Sequence, residues 1–159
     1  MTAYNFTLVP TTPPYIAGHP IRVSAYYTLG GALGNGDTIT ATGMIPPGGV
    51  QVLDVMVYHP PLDTNASPTG TYKVGDSLSS GSARYISGAV MGANLASGVQ
   101  IRNSSNVAPS ATAGIGYTYS TNENSSGTDI ILTVTNALAT AATTGTIVLE
   151  ITYLCVGNI

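Results

Sequence analysis

The sequence predicts an all-β protein, an eight-stranded antiparallel jelly-roll sandwich with an extended N-terminal arm. About eight short segments alternate apolar and polar residues, and turn-forming Gly, Pro, Asn and Asp residues separate them. Charged residues make up only 7% of the 159 residues, against about a quarter in an ordinary soluble domain. Threonine, serine, asparagine and the backbone must therefore form the polar surface. An immunoglobulin-like sandwich is the competing fold, although it usually has about seven strands in about 100 residues.

The predicted strands are short and lie between turns. They cover residues near 21–29, 38–45, 50–58, 72–74, 84–86, 115–119, 130–135 and 147–155. In the second strand Ile39, Ala41, Gly43 and Ile45 are expected to share one face. In the third, Leu53, Val55 and Val57 are assigned to the core face. The stretch 87–112 is ambiguous, and residues 90–96 within it are expected to form either a helical turn or a loop.

Residues 1–20 are predicted to form the arm and residues 21–159 the folded domain. Pro10, Pro13 and Pro14 cannot donate the N–H group that a central strand requires. Disordered termini are poor in large apolar residues, so an apolar arm indicates contact with a partner. The side chains predicted to make that contact are Tyr4, Phe6, Leu8, Tyr15 and Ile16.

Charge and hydropathy exclude two classes of function. The four basic residues are scattered along the chain and cannot form the basic patch that binds nucleic acid or an anionic membrane. No apolar stretch approaches the roughly 18 residues that cross a bilayer. Residues 1–15 hold no basic residue and no apolar run, and Cys155 has no partner for a disulfide, so we expect synthesis in a cytoplasm.

Residues that could support catalysis or bind a metal are few and isolated. The glycine-rich segment 31–38 is spaced like a phosphate-binding loop, but Asp37 stands where such a loop needs lysine. His19 and His59 have no Cys, Asp or Glu at ligand spacing, so no metal site is predicted. Asp54 has no second carboxylate nearby for acid–base chemistry. We therefore expect no enzyme activity, no metal and no cofactor.

Four stretches carry a resemblance to a known family. They are Gly36-Asp37-Thr38-Ile39 leading into residues 45–55, Tyr72-Lys73-Val74-Gly75-Asp76 before Ala83-Arg84-Tyr85-Ile86, residues 113–119, and residues 131–135 followed by 139–141 and 145–153. In order and spacing they resemble the jelly-roll cement or decoration proteins of tailed-bacteriophage heads. The arm at 1–20 and the insertion around 87–112 have no counterpart in that resemblance.

The resemblance implies a structural role on a virion. It implies binding to the phage major capsid protein at joints between capsid subunits, on the outer surface of the head. It also implies that the protein is a dimer or trimer and is made in the bacterial host cytoplasm. Asp76 and Arg84 are the best-matched charges, and we expect them to close the intervening loop as an ion pair.

Two other functions remain open. The first is a receptor- or glycan-binding domain of a tail fibre, because jelly-rolls also serve as lectins; its candidate residues are Asp63, Asn65, Asn122 and Glu123. The second is a jelly-roll enzyme of the cupin-like or polysaccharide-cleaving kind, which the absence of histidine clusters in the sequence disfavours. Copy number per virion distinguishes a cement protein from a fibre.

Overall fold

The computed structural model describes residues 1–9, 18–78, 82–92 and 116–156. These residues contain ten β-strands and no helix, and therefore no helical segment that could cross a membrane. The strands are β1 Ala3–Asn5, β2 Thr7–Leu8, β3 Pro20–Thr28, β4 Thr38–Ile45, β5 Val50–Tyr58, β6 Thr71–Asp76, β7 Ile86–Val90, β8 Thr118–Tyr119, β9 Thr128–Asn136 and β10 Thr146–Cys155. The predicted count of eight is wrong. Strands β3 to β10 correspond to the eight predicted ones, and β1 and β2 lie within the predicted arm.

The strands form two five-stranded sheets. Sheet I has the order β1-β4-β9-β6-β7, and sheet II has the order β2-β3-β10-β5-β8. Neighbouring strands pair antiparallel as predicted, except that β1 pairs parallel with β4. The sandwich-like all-β architecture is therefore confirmed.

The apolar faces of the two sheets meet in one core. In β10 the buried residues are Ile147, Leu149, Ile151 and Tyr153, and β3 and β9 show the same alternation. Each buried Å² of apolar surface contributes about 25 cal/mol to folding, so these rows hold the sheets together. The faces predicted for these three strands are correct because alternate side chains of a strand point to opposite sides.

A β-bulge in β5 changes which residues face the core. Asp54 pairs with Thr152, whereas Val52 pairs with Tyr153, so Leu53 is the extra residue. Leu53 is half-buried, while Val52 is fully buried. The assignment of Leu53 to the core face is therefore wrong, because an inserted residue reverses the alternation on one side of it.

A second irregularity lies in β4. Gly43 has a φ of +64°, and the pairing with β9 shifts between Ala41 and Ile45. Gly43 is exposed, and its neighbours Met44 and Ile45 are both buried. The expectation that Gly43 shares a face with Ile39, Ala41 and Ile45 is wrong, because glycine here adopts a left-handed backbone conformation that interrupts the strand.

The strand predicted near 84–86 begins two residues later. Arg84 and Tyr85 precede β7, which runs Ile86–Val90 and so includes residues from the ambiguous stretch 87–112. Residues 93–115 lie outside the described part of the chain, as do 10–17, 79–81 and 157–159.

Candidate functional site

Residues 1–9, here called the N-terminal segment, close one edge of the sandwich. β1 pairs with β4 in sheet I, and β2 pairs with β3 in sheet II. The backbone N–H of Phe6 donates to the Thr40 carbonyl at 2.8 Å, and that of Val9 donates to the Ser24 carbonyl at 2.9 Å. The segment thus crosses from one sheet to the other and supplies an outer strand to each.

The side chains of the N-terminal segment pack against the same chain. Phe6 is 7% exposed and belongs to the core. The Tyr4 and Phe6 rings lie 5.3 and 6.4 Å from the Tyr27 ring, and Leu8 packs against the core at its edge. The structure therefore places three of the five predicted contact residues on this chain's own body. Tyr15 and Ile16 lie outside the described residues, and the contact with a partner stays a prediction.

Asp37 holds the start of the chain. Its carboxylate accepts hydrogen bonds from the backbone N–H groups of Gly34, at 2.8 Å, and Thr2. The Met1 ammonium nitrogen lies 4.0 Å from the same carboxylate. The hydrogen bond from Gly34 is the main reason why the pKa of Asp37 lies below its usual range. Sequence reasoning treated Asp37 only as an obstacle to phosphate binding and missed this role.

Among the described residues the exposed large apolar side chains are Met1, Val9, Tyr26 and Val90. Three of them lie in or beside the N-terminal segment, and Val90 lies in β7 at the other edge of sheet I. Tyr26 pairs with Thr7 of β2, and Val9 lies beside Ser24, two residues along β3. Val9 and Tyr26, called the N-terminal patch below, are 41% and 42% exposed.

The outer face of sheet II continues this patch across the strands. Val148 in β10 pairs with Tyr26 on one side and with Tyr58 on the other. Next to this row, Arg22 forms a surface ion pair with Glu150. The outer face of sheet I differs because threonines dominate it, including Thr38, Thr40, Thr71, Thr133 and Thr135. Tyrosine and arginine are enriched at protein interfaces, so the outer face of sheet II is better suited than that of sheet I to contact another protein.

Asp76 and Arg84 lie in direct contact, and both are buried. The Arg84 Nε donates to Asp76 Oδ2, and the two residues are 2% and 3% exposed. Tyr119 donates from its hydroxyl to the same carboxylate oxygen at 2.7 Å. The Arg84 guanidinium carbon lies 3.6 Å from the centre of the Tyr117 ring, a cation–π contact. The predicted pair therefore sits within a buried cluster of tyrosines.

This cluster joins the two sheets. Asp76 ends β6 in sheet I, whereas Tyr119 lies in β8 of sheet II. The Tyr85 and Tyr119 hydroxyls are hydrogen-bonded, and Tyr117 donates to Glu123. Burial raises the pKa values of Tyr85 and Tyr119 and, together with the Glu123 carboxylate, raises the pKa of Tyr117 to about 12. All three hydroxyls stay protonated near neutral pH and act as structural donors.

Asp63 is fully buried and forms the centre of a loop cluster. Its Oδ2 accepts backbone N–H groups of Thr69, Gly70 and Ala139 at 2.9, 2.9 and 3.0 Å, and its Oδ1 accepts that of Thr140 at 2.9 Å. Burial alone would raise the pKa of Asp63, but these backbone donors outweigh it and hold the pKa well below its usual range. The carboxylate is therefore engaged in holding two loops together.

The four candidate glycan-binding residues do not converge. Asp63 and Asn65 lie in the loop that follows β5. Asn122 and Glu123 lie in the turn after β8, where the Asn124 side chain donates to carbonyls of the loop that precedes β5. The two pairs thus occupy opposite ends of β5.

The described residues contain no group of three or more His, Cys, Asp or Glu side chains that could hold a metal ion. His59 is 3% exposed, its Nδ1 lies 2.7 Å from the Pro60 carbonyl oxygen, and its ring packs edge-on against Tyr72. Burial lowers the pKa of His59. His19 is exposed.

Two solved structures are similar to this chain over nearly its whole length. A chain of the capsid asymmetric unit of cyanophage Pam1 is 26% identical with a TM-score of 0.65, covering 92% of this chain and 91% of that one. A chain of the capsid of Ralstonia phage GP4 is 22% identical with a TM-score of 0.66, covering 92% of this chain and 90% of that one. No family model and no curated protein matches the sequence significantly.

Proposed function

We propose that this chain is a structural protein of a bacteriophage virion. The observation that carries the proposal is the likeness to chains from two phage capsids, which extends over 92% of this chain in both cases. A likeness of that extent covers both sheets, not a single module. The low charge and the internal use of the buried carboxylates fit a structural protein, because neither provides a reactive group.

Within the virion, we propose that the chain is a jelly-roll cement protein on the outer surface of the head. The order β3-β10-β5-β8 in sheet II and β4-β9-β6-β7 in sheet I supports this fold, because most consecutive strands alternate between the sheets, as in an eight-stranded double-sheet jelly-roll. Residues 21–159 then form the domain, and residues 1–20 are an addition to it.

The outer face of sheet II is the proposed contact with the major capsid protein. Tyr26, Tyr58 and Val148 form an apolar row beside the Arg22–Glu150 pair. Desolvated aromatic side chains contribute most of the binding energy at protein interfaces. A shell displays many equivalent sites, so an oligomer that binds several of them gains avidity from weak individual contacts.

The alternative function is a glycan-binding domain of a tail fibre. It would need the candidate residues to lie together, and in the described part of the chain they do not. Asp63 is fully buried and hydrogen-bonded by backbone donors, and Asn122 and Glu123 lie at the other end of β5. We therefore favour the cement function over the fibre function.

The proposal is tested by adding the purified chain to phage heads that lack it. We expect saturable binding of hundreds of copies per particle and a higher temperature of DNA release. Tyr26→Ala should lower the occupancy, whereas Thr40→Ala, on the outer face of sheet I, is the matched control and should not. Absence of binding to heads, or a copy number of a few dozen at most in whole virions, would contradict the proposal.

A further inference from the structure

His59 is a buried titratable side chain that the proposed function does not use. It follows β5 directly, is 3% exposed and packs edge-on against the Tyr72 ring of β6, with 5.5 Å between the ring centres. The contact joins the end of a strand in sheet II to a strand in sheet I. Histidine ordinarily changes its charge at about pH 6.5, so a buried histidine can make a fold sensitive to mild acid.

The hydrogen bond of the His59 ring decides which nitrogen carries the hydrogen. Nδ1 lies 2.7 Å from the Pro60 carbonyl oxygen, and a carbonyl oxygen only accepts hydrogen bonds. Nδ1 is therefore the N–H of the neutral ring, and Nε2 is the nitrogen that a second proton would enter. Within the part of the chain that the structure describes, Nε2 is buried and has no hydrogen-bond partner. An imidazolium in this place would bury both a charge and an unpaired donor, and both are costly.

The groups around His59 do not supply a negative charge to pair with an imidazolium. Tyr72 stays neutral because burial raises its pKa, and burial also raises the pKa of Tyr58, the preceding residue in β5. Asp63 lies in the same loop, but its carboxylate is taken up by backbone N–H groups. The link between β9 and β10, residues 137–145, has no ionisable side chain. Burial is accordingly the main influence on His59 and lowers its pKa, although the Pro60 carbonyl opposes it.

His59 is the first residue of the loop that leads from β5 to β6, here called the His59 loop, residues 59–70. The loop is docked through Leu62, whose side chain is buried. The Leu62 N–H donates to the Met91 carbonyl at 3.1 Å, and the Ala142 N–H donates to the Leu62 carbonyl at 2.8 Å. Nε2 can reach water only if His59 leaves its place, and Leu62 follows only three residues later. Solvation of a charged His59 therefore requires the loop to undock.

We propose that His59 is a pH-sensitive switch, in which the neutral imidazole keeps the His59 loop docked and protonation of Nε2 in mild acid releases it. The pKa of His59 is lower in the docked loop than the value of about 6.5 expected once the ring is in water. The stabilisation is therefore fully present above about pH 6.5 and is lost as the pH falls below that value toward the folded pKa. Uptake of one proton on release raises the undocked population by up to about tenfold for each pH unit.

The first test is an NMR titration of the unmodified chain. The chain has two histidines, and the exposed His19 supplies the comparison signal. Ring nitrogen and carbon shifts report both the tautomer and the charge. We expect His59 to show the Nδ1–H tautomer at pH 7.5 and to remain a neutral ring in the folded chain at pH 6. An Nε2–H tautomer, or an imidazolium in the intact folded chain at pH 6, would overturn the proposal.

The second test follows release of the loop by hydrogen exchange between pH 7 and pH 5. Protection factors of the Leu62 and Ala142 amides should fall by up to about tenfold per pH unit below about pH 6.5. His59→Gln removes the titrating group and should abolish this dependence, whereas His19→Gln is the matched control and should keep it. Protection that does not change with pH in the unmodified chain, or a fall that persists in His59→Gln, refutes the switch.

The two tests are independent of each other and of the proposed function. The hydrogen-exchange test compares slopes with pH, so a uniform loss of stability in His59→Gln does not affect its outcome. The NMR titration needs no variant and still decides the proposal if His59→Gln fails to fold. Neither measurement involves phage heads, so failure of the switch leaves the expected binding to heads unchanged.

Discussion

Three of the seven acidic residues, Asp37, Asp63 and Asp76, are buried. Buried charges are costly unless hydrogen-bonded or paired. Asp63 and Asp37 meet this need with backbone N–H groups, and Asp76 with Arg84 and Tyr119. In a chain with few charges, these carboxylates organise loops and the chain terminus.

The ionised Asp63 carboxylate makes the stability of the fold depend on pH in the acid range. Its folded pKa is lowered, so its contribution is fully present above the unfolded value of about 3.9 and is lost as pH falls below that value toward the folded pKa. We expect Asp63→Asn to lower Tm at pH 7 by several degrees and to make the decline of Tm below pH 4 shallower than in the wild type. Thermal unfolding followed by circular dichroism between pH 2 and pH 7 measures both effects. An unchanged acid slope would show that Asp63 is not the charged acceptor described.

Removing one partner of the buried Asp76–Arg84 pair should lower the free energy of unfolding strongly. Arg84→Ala leaves a buried carboxylate without its cation, and such changes cost about 3–5 kcal/mol of the free energy of unfolding. Denaturant unfolding measures the loss. Arg22→Ala, which breaks the exposed ion pair with Glu150, is the matched control and should change stability far less. Similar small effects from both variants would mean that Arg84 does not hold the cluster.

At the residue level, the sequence carries a signal where a side chain's partner is another side chain. The match to the family pattern selects Asp76 and Arg84, and the structure places the two in contact; that they close the intervening loop stays a prediction. The roles of Asp37 and Asp63 could not be predicted, because their partners are backbone N–H groups of residues up to 77 positions away, which only the folded chain brings together. The tyrosines around Arg84 carry a weak signal, since Tyr117 and Tyr119 alternate in a predicted strand.

At the scale of elements, the sequence predicted strands well where one face is buried and the alternation is uninterrupted, as in β3, β9 and β10. It failed at Leu53, where a bulge that no residue pattern marks reverses the alternation, and at Gly43, where the strand pairing is irregular and the isolated glycine is the one signal of it. It also missed β1 and β2, whose two or three residues are too few to show a period. Their strand form arises from the free edges of β4 and β3, which need hydrogen-bond partners.

The N-terminal segment should contribute measurably to stability. Phe6→Ala removes a buried aromatic side chain, a change that costs about 3 kcal/mol or more. Thr7→Ala, at the neighbouring exposed position, should stay within about 0.5 kcal/mol. Denaturant unfolding of the two variants compares them. Equal stability of the two would contradict the docking of this segment in the core.

At the scale of the whole molecule, the two outer faces differ in composition and in what we expect them to contact. The threonine-rich face of sheet I suits solvent, and the tyrosine-bearing face of sheet II suits a partner. Composition predicted the passive, uncharged character of the surface, because it depends only on residue counts. It could not predict which sheet carries the tyrosines, since that depends on strand order and on register such as the Tyr26–Val148–Tyr58 row.

The central claim is that this chain is part of the head shell of a virion, and cryo-electron microscopy of the whole particle tests it most directly. We predict density for the two-sheet body on the outer surface of the head, repeated at equivalent joints between capsid subunits, with the outer face of sheet II toward the shell. Density for this chain confined to the tail or its fibres, or a particle without it, would contradict the claim.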